Sequence, residues 1–306
     1  MKSWWEYIAV PTALVLLAGC SSSAAVSTPL PAANSARPLI IAHRGARSLA
    51  PENTLAAARK ALEAGADMWE MDVAVTADGE LVVIHDDTLE RTCNAADVFP
   101  DRRPWNVWDF TLAEVETLDC GSWFGQRDPF GQIKAGNVSA DDVASYAAER
   151  APTLRQVLEF TRDNNWRVNV ELKDQPTDDL GRILVEKTVA LVEELGMGED
   201  DSVAISSFNH DYLKTVRTLN PRIPIQALTS QQIGDLPAYL EQLGTKACNP
   251  KSGVWKPQKL AELAQSGILF NVWTVNDESE MKELIEAGVH GVITDYPQLL
   301  VRVLSE

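Results

Sequence analysis

Residues 40–87 read IIAHRGARSLAPENTLAAARKALEAGADMWEMDVAVTADGELVVIHDD, and this stretch decides the fold and locates the chemistry. With Leu39 in front, LIIAH is an apolar run that ends in His43-Arg44-Gly45, as expected of a buried parallel strand opening into a loop at its C-terminal end. Asn53 or Thr54 can cap the following helix, TLAAARKALEAG, which Gly65 closes. MWEMDVAV is a second strand. Side chains alternate along a strand, so Glu70 and Asp72 point to one face. Two adjacent carboxylates repel unless a cation lies between them or each has its own donor, and a hard divalent metal is the simplest explanation. LVVIH is a third short strand, and it delivers His85 beside Asp86 and Asp87.

From Thr153 onward strands and helices alternate regularly. The strands that lead to helices are LIIAH, MWEMDVAV, RVNVEL, SVAISSF, IPIQAL, TKACNP, ILFNVWTV and GVITD. Eight such units predict an α/β fold, a (β/α)8 TIM barrel, over an open doubly wound sheet. No glycine-rich dinucleotide fingerprint follows the first strand. At 306 residues and 45% hydrophobic, residues 38–306 can bury one large core. Chemistry in such barrels lies at the C-terminal strand ends, where His43, Glu70, Asp72, Glu171, Lys173, Trp273 and Asp295 all fall. Glu70, Asp72 and Glu171 suit an oxygen-preferring cation, Ca2+ or Mg2+. Zinc is the weaker choice, with no His pair four apart and no CxxC.

Residues 88–152 break the rhythm and read as an inserted subdomain over the mouth of the site, since irregular segments of this length are uncommon unless functional. Cys93 and Cys120 in it are expected to form a disulfide if the protein is exported, and Cys248 reads as a buried small residue. Export is expected from the N-terminus. Residues 1–19 read as a signal peptide with a short apolar stretch, and LAGC at 17–20 resembles a bacterial lipobox, so Cys20 would be lipidated. Glu6 is the unusual feature of that segment. Ser21 resembles an outer-membrane address, facing the periplasm in a two-membrane cell. Residues 20–37 are rich in Ser, Ala and Pro and read as a flexible tether. A net charge of −17 leaves no basic surface for nucleic acid.

His43-Arg44-Gly45, PENT at 51–54, the ExD of Glu70 and Asp72, His85-Asp86, VELK at 170–173 and WTVN at 273–276 together resemble the glycerophosphodiester phosphodiesterase family. The resemblance implies a TIM barrel, a divalent cation, and hydrolysis of glycerophosphodiesters to sn-glycerol 3-phosphate and an alcohol. It further implies His43 and His85 as the acid-base pair, Glu70, Asp72 and Glu171 as metal ligands, and Arg44 and Lys173 on the phosphate. The attacking group it implies is the vicinal glycerol hydroxyl, through a cyclic phosphate. Trp273 either packs the barrel mouth or lies against the glycerol or its substituent. Two other readings compete: phospholipase D-like cleavage of lysophospholipid or sphingomyelin, and a non-catalytic surface-binding lipoprotein on an inherited barrel.

Overall fold

The apolar runs form strands buried on both faces, as parallel strands covered by helices must be. In a computed structural model describing residues 37–147 and 149–306, they are β1 (Leu39–Ala42), β2 (Met68–Val75), β3 (Leu81–Val83), β4 (Val168–Leu172) and β5 (Val203–Ser207). β6 (Ile225–Thr229), β7 (Ala247–Pro250), β8 (Leu269–Val272) and β9 (Gly291–Thr294) follow. β1 bonds in parallel to both β2 and β9, so the parallel strands close a ring in the order β1-β2-β4-β5-β6-β7-β8-β9. That is the eight-stranded (β/α)8 barrel.

β3 stands outside the ring. It returns antiparallel along the second half of β2, pairing Val73 with Val83 and Val75 with Leu81. The Ile84 amide then donates to the Asp72 carbonyl at 3.0 Å, which carries the chain, and His85, back to the barrel's C-terminal rim. β2 also sets the rim on its other side, placing Glu70 opposite Asn169 and Asp72 opposite Glu171 on β4.

The helix Leu55–Glu63 takes Thr54 as its cap, the Oγ1 accepting from the Ala57 amide. Asn53 is thereby free for another role. Ala58 and Ala61 are fully buried against the barrel, and the turn after β1 comes so close to the helix that a Cβ on Gly45 would lie 2.6 Å from the Ala57 carbonyl carbon. Only glycine fits there, at φ 79°.

The inserted segment is not structureless. It carries short helices at Ala95–Val98, Leu112–Val115, Ser122–Arg127 and Ala140–Tyr146, and Cys93 is bonded to Cys120. One apolar cluster, including Leu89, Phe110 and Leu118, packs on Ala74, Val82 and Ile84 of the β2–β3 hairpin. A second, Phe124, Val138 and Tyr146, packs on Ala50, Ala56 and Ala57. The segment thus packs on the hairpin and on the first helix, and its Phe130 reaches Arg47 and Tyr296 beside the site. The residues lining the central cavity all lie outside 88–152.

Cys20, the signal segment and the tether up to residue 36 lie outside the described residues. Among the described residues no helix is long and apolar enough to cross a membrane.

Candidate active site

Glu70, Asp72 and Glu171 are buried, 3%, 1% and 9% exposed, and one oxygen from each lies within 4.8 Å of the others. Burial and the repulsion of its neighbours raise the Glu70 carboxyl well above the ordinary range, and burial with Asp72 raises Glu171. Burial would raise Asp72 as well, but Arg44, His85, Lys173 and Asn53 together outweigh it and hold Asp72 ionised. Three oxygens that cannot all ionise comfortably among themselves, with no thiolate among them, fit a hard divalent cation.

The surrounding donors fix this cluster. The Arg44 amide donates to Glu70 Oε2 at 2.9 Å, while its guanidinium lies 3.4 Å from Asp72 and donates to Glu52 at 2.7 Å. Arg44 adopts φ 54°, a left-handed conformation that costs a bulky residue roughly 1 kcal/mol and that the bond to Glu70 retains. Asn53, also left-handed at φ 58°, donates to Asp72 Oδ2 at 2.9 Å and accepts from the Asp72 amide. Lys173 donates to Glu171 at 3.0 Å and sits 3.7 Å from Asp72. Burial alone would lower the Lys173 ammonium, but Asp72 and Glu171 win and keep it charged.

His43 and His85 are each held by a carboxylate on the same ring nitrogen. His43 Nδ1 lies 2.6 Å from Asp295 Oδ1, which leaves Nε2 clear of that carboxylate. Asn276 orients Asp295, donating to Oδ2 at 2.8 Å and accepting from its amide. Burial lowers the His43 pKa, with Asp295 only partly opposing it, so the ring is neutral at neutral pH. His85 Nδ1 lies 2.7 Å from Asp86 Oδ1, and Arg91 grips the same carboxylate. Burial would raise Asp86, but the bonds from His85 and Arg91 hold it well below the usual range.

His43, Arg44, Glu70, His85, Glu171 and Lys173 all line one cavity of about 120 Å³ at the C-terminal barrel mouth. Trp273 lies on its wall, its Nε1 donating to the Asn249 carbonyl at 2.8 Å and its ring edge-on to Phe208 at 5.5 Å. Thus the acid-base, phosphate and metal residues expected from the sequence come together. Asp295, expected at a strand end, acquires a partner in His43. Glu52, Asn53, Arg47, Arg91 and Asn276 were not expected in these contacts. Two of the five, Glu52 and Asn53, stand inside PENT, where only Asn53 was read locally, as a possible helix cap.

A barrel whose strand ends present two carboxylate-backed imidazoles around a buried acidic triad and two cations is the site of a hydrolase acting on an anionic ester. The chain belongs to the glycerophosphoryl diester phosphodiesterase family, whose model matches residues 43–299. It is 34% identical over 270 residues to a glycerophosphodiester phosphodiesterase of Caldanaerobacter subterraneus, covering 88% of this chain and 98% of that one. A glycerophosphodiester phosphodiesterase of Bacillus subtilis is 33% identical over 276 residues, covering 87% and 86%. Among solved structures, an Oleispira antarctica phosphodiesterase in complex with the product sn-glycerol-3-phosphate superposes with a TM-score of 0.74 at 28% identity, covering 90% of this chain and 99% of that one.

Proposed function

We propose that this protein hydrolyses glycerophosphodiesters to sn-glycerol 3-phosphate and an alcohol, with His43 and His85 exchanging the protons. The supporting observation is that both imidazoles, two of the acidic groups, Arg44 and Lys173 open onto one small cavity. His43, neutral and oriented by Asp295, takes the proton of the vicinal glycerol hydroxyl at Nε2 as that oxygen attacks phosphorus. His85 gives its Nε2 proton to the departing alcohol oxygen. In the second step the roles reverse: His85 takes a proton from water attacking the cyclic phosphate, and His43 returns one to the glycerol oxygen. Arg44 and Lys173 balance the phosphoryl charge. Glu70, Asp72 and Glu171 would hold Ca2+ or Mg2+, which supplies Lewis-acid stabilisation of that same charge.

A cavity of about 120 Å³ suits glycerol phosphate and the first atoms of the alcohol. An acyl chain exceeds a cavity of this size, which sets lysophospholipid or sphingomyelin cleavage second. A purely binding role is at odds with two carboxylate-backed imidazoles that line one cavity with Glu70 and Glu171. The lipobox-like LAGC supports export with Cys20 as a lipid anchor, tested by the mass of the mature N-terminus before and after Cys20→Ala.

The test of the activity is glycerol 3-phosphate release from glycerophosphocholine by chelator-stripped protein with Ca2+ or Mg2+ restored. Cation-dependent release is expected. Folded protein inert with both cations and active on lysophosphatidylcholine would replace this substrate class. Glu70→Gln should raise the cation concentration needed, and an unchanged requirement removes Glu70 from the ligand set.

A further inference from the structure

Glu52 is 4% exposed and is not among the residues lining the central cavity, yet it receives three guanidinium groups. Arg44 donates to Oε1 at 2.7 Å, Arg47 lies 3.0 Å from Oε2, and Arg91 donates to both oxygens at 2.7 and 3.0 Å. Each arginine then reaches a different part of the site. Arg47 stands 3.5 Å from His43 Nδ1 and 3.7 Å from Asp295 Oδ1. Arg91 donates to Asp86 Oδ1 at 2.9 Å, behind His85. Arg44 stands against Asp72. The inserted segment secures two of the three, because Arg91 belongs to it and Phe130 lies against the Arg47 guanidinium at 5.2 Å.

We propose that Glu52 is a positioning residue that sets both histidine–aspartate pairs and Arg44 at once through these three arginines. The physical case rests on what each group does without it. Three guanidiniums repel one another, and a long arginine side chain released from its partner loses orientation. Asp295 and Asp86 would then be drawn toward other partners, and their imidazoles would turn with them. A displacement of about 1 Å at an acid-base group costs about a hundredfold in rate. Glu52 touches neither substrate nor metal ligand, so its effect falls on turnover through Arg47 and Arg91 more than on cation affinity.

This inference rests on the acid-base roles of His43 and His85, and its test keeps the two apart. Wild type and His85→Ala measure those roles. Glu52→Gln, Arg91→Gln, Arg47→Gln and their pairs measure the junction, each with glycerophosphocholine and with a glycerophosphodiester of 4-nitrophenol. Glu52→Gln is expected to lower kcat for the choline ester about a hundredfold, with the cation requirement within twofold of wild type. The loss should be smaller on the nitrophenyl ester, whose leaving group needs little protonation. Adding Arg91→Gln to Glu52→Gln should cost little more, since both break one link. Should Glu52→Gln fail to fold, the pair Arg47→Gln and Arg91→Gln decides: a combined loss smaller than the product of the two single losses supports coupling through Glu52. A folded Glu52→Gln with wild-type kcat, equal losses on both esters, or strictly multiplicative losses in the pairs would overturn the proposal even with His85→Ala inactive. A fully active His85→Ala would overturn the acid-base assignment instead.

Discussion

The two histidine–aspartate pairs use one chemical device and are built in opposite ways. His43 and Asp295 are 252 residues apart and meet because β1 and β9 are neighbours in the closed ring. His85 and Asp86 are consecutive, lie outside the ring on the return of the β2–β3 hairpin, and are fastened by Arg91 from the inserted segment. The His43 side chain is 13% exposed and that of His85 32%. Barrel closure therefore yields a rigid, dry pair, and a local pair needs an added segment to hold it still. Water can partly replace a lost partner only at the second.

The largest effects should come from the imidazoles themselves. His43→Ala and His85→Ala should each lower kcat about a thousandfold while circular dichroism stays that of the wild type. A variant near wild-type rate would strip that residue of its role. Next, Asp295→Asn should cost about a hundredfold and Asp86→Asn only about tenfold, since a buried orienting carboxylate has no substitute. Equal losses would break the contrast drawn from burial.

Removing the Cys93–Cys120 bond, which closes 27 residues beside Arg91, should cost on the order of 3 kcal/mol, read as a melting temperature lower by about 10 °C. An unshifted melting curve would mean that the segment is held by its apolar clusters alone. Acid stability tests the junction between the pairs. Burial would raise the Glu52 carboxyl, but the Arg91 bonds and the charges of Arg44, Arg47 and Arg91 prevail and lower it from 4.5 to about 2. Its folded pKa is depressed, so its contribution, on the order of 3 kcal/mol, is present above pH 4.5 and is lost as pH falls toward about 2. Urea midpoints across that window should fall with pH in wild type and change much less in Glu52→Gln. Parallel slopes in the two proteins would count against this assignment.

The smallest effect is a displacement of the pH profile. Burial lowers the His43 pKa from 6.5 and Asp295 partly restores it, so the acid limb of kcat/KM should lie below pH 6.5. Asp295→Asn removes the restoring charge and should move that limb further down. An upward shift would show that His43 is not the group titrating.

Most of the site was legible because strand ends are. Glu70 and Asp72 announce themselves by their two-residue spacing, as do Glu171 and Lys173, and Asp86 by adjacency to His85. Asp295 was legible as a strand-end acid but not as the partner of His43, because only closure of the ring makes the first and last strands neighbours. Arg91 and Arg47 gave no periodic signal in irregular chain. Glu52 sat in a motif whose local reading, a helix start, was satisfied by Thr54. The inserted segment was recognised as an interruption, but the apolar faces it packs on were not foreseen. Which apolar face it covers depends on the hairpin that β3 forms with β2.

The sequence by itself determined the alternation of strands and helices, the number of barrel strands, and which polar residues stand at their ends. Those features are local: they follow from side-chain periodicity over a few residues and from the turns between them. Only the tertiary structure decided which of those polar groups touch. Ring closure, the antiparallel return of β3 and the flank on which the insertion lies are set by burial of surfaces far apart in the chain. The pairs His43–Asp295 and Arg91–Glu52 exist only once those surfaces have met.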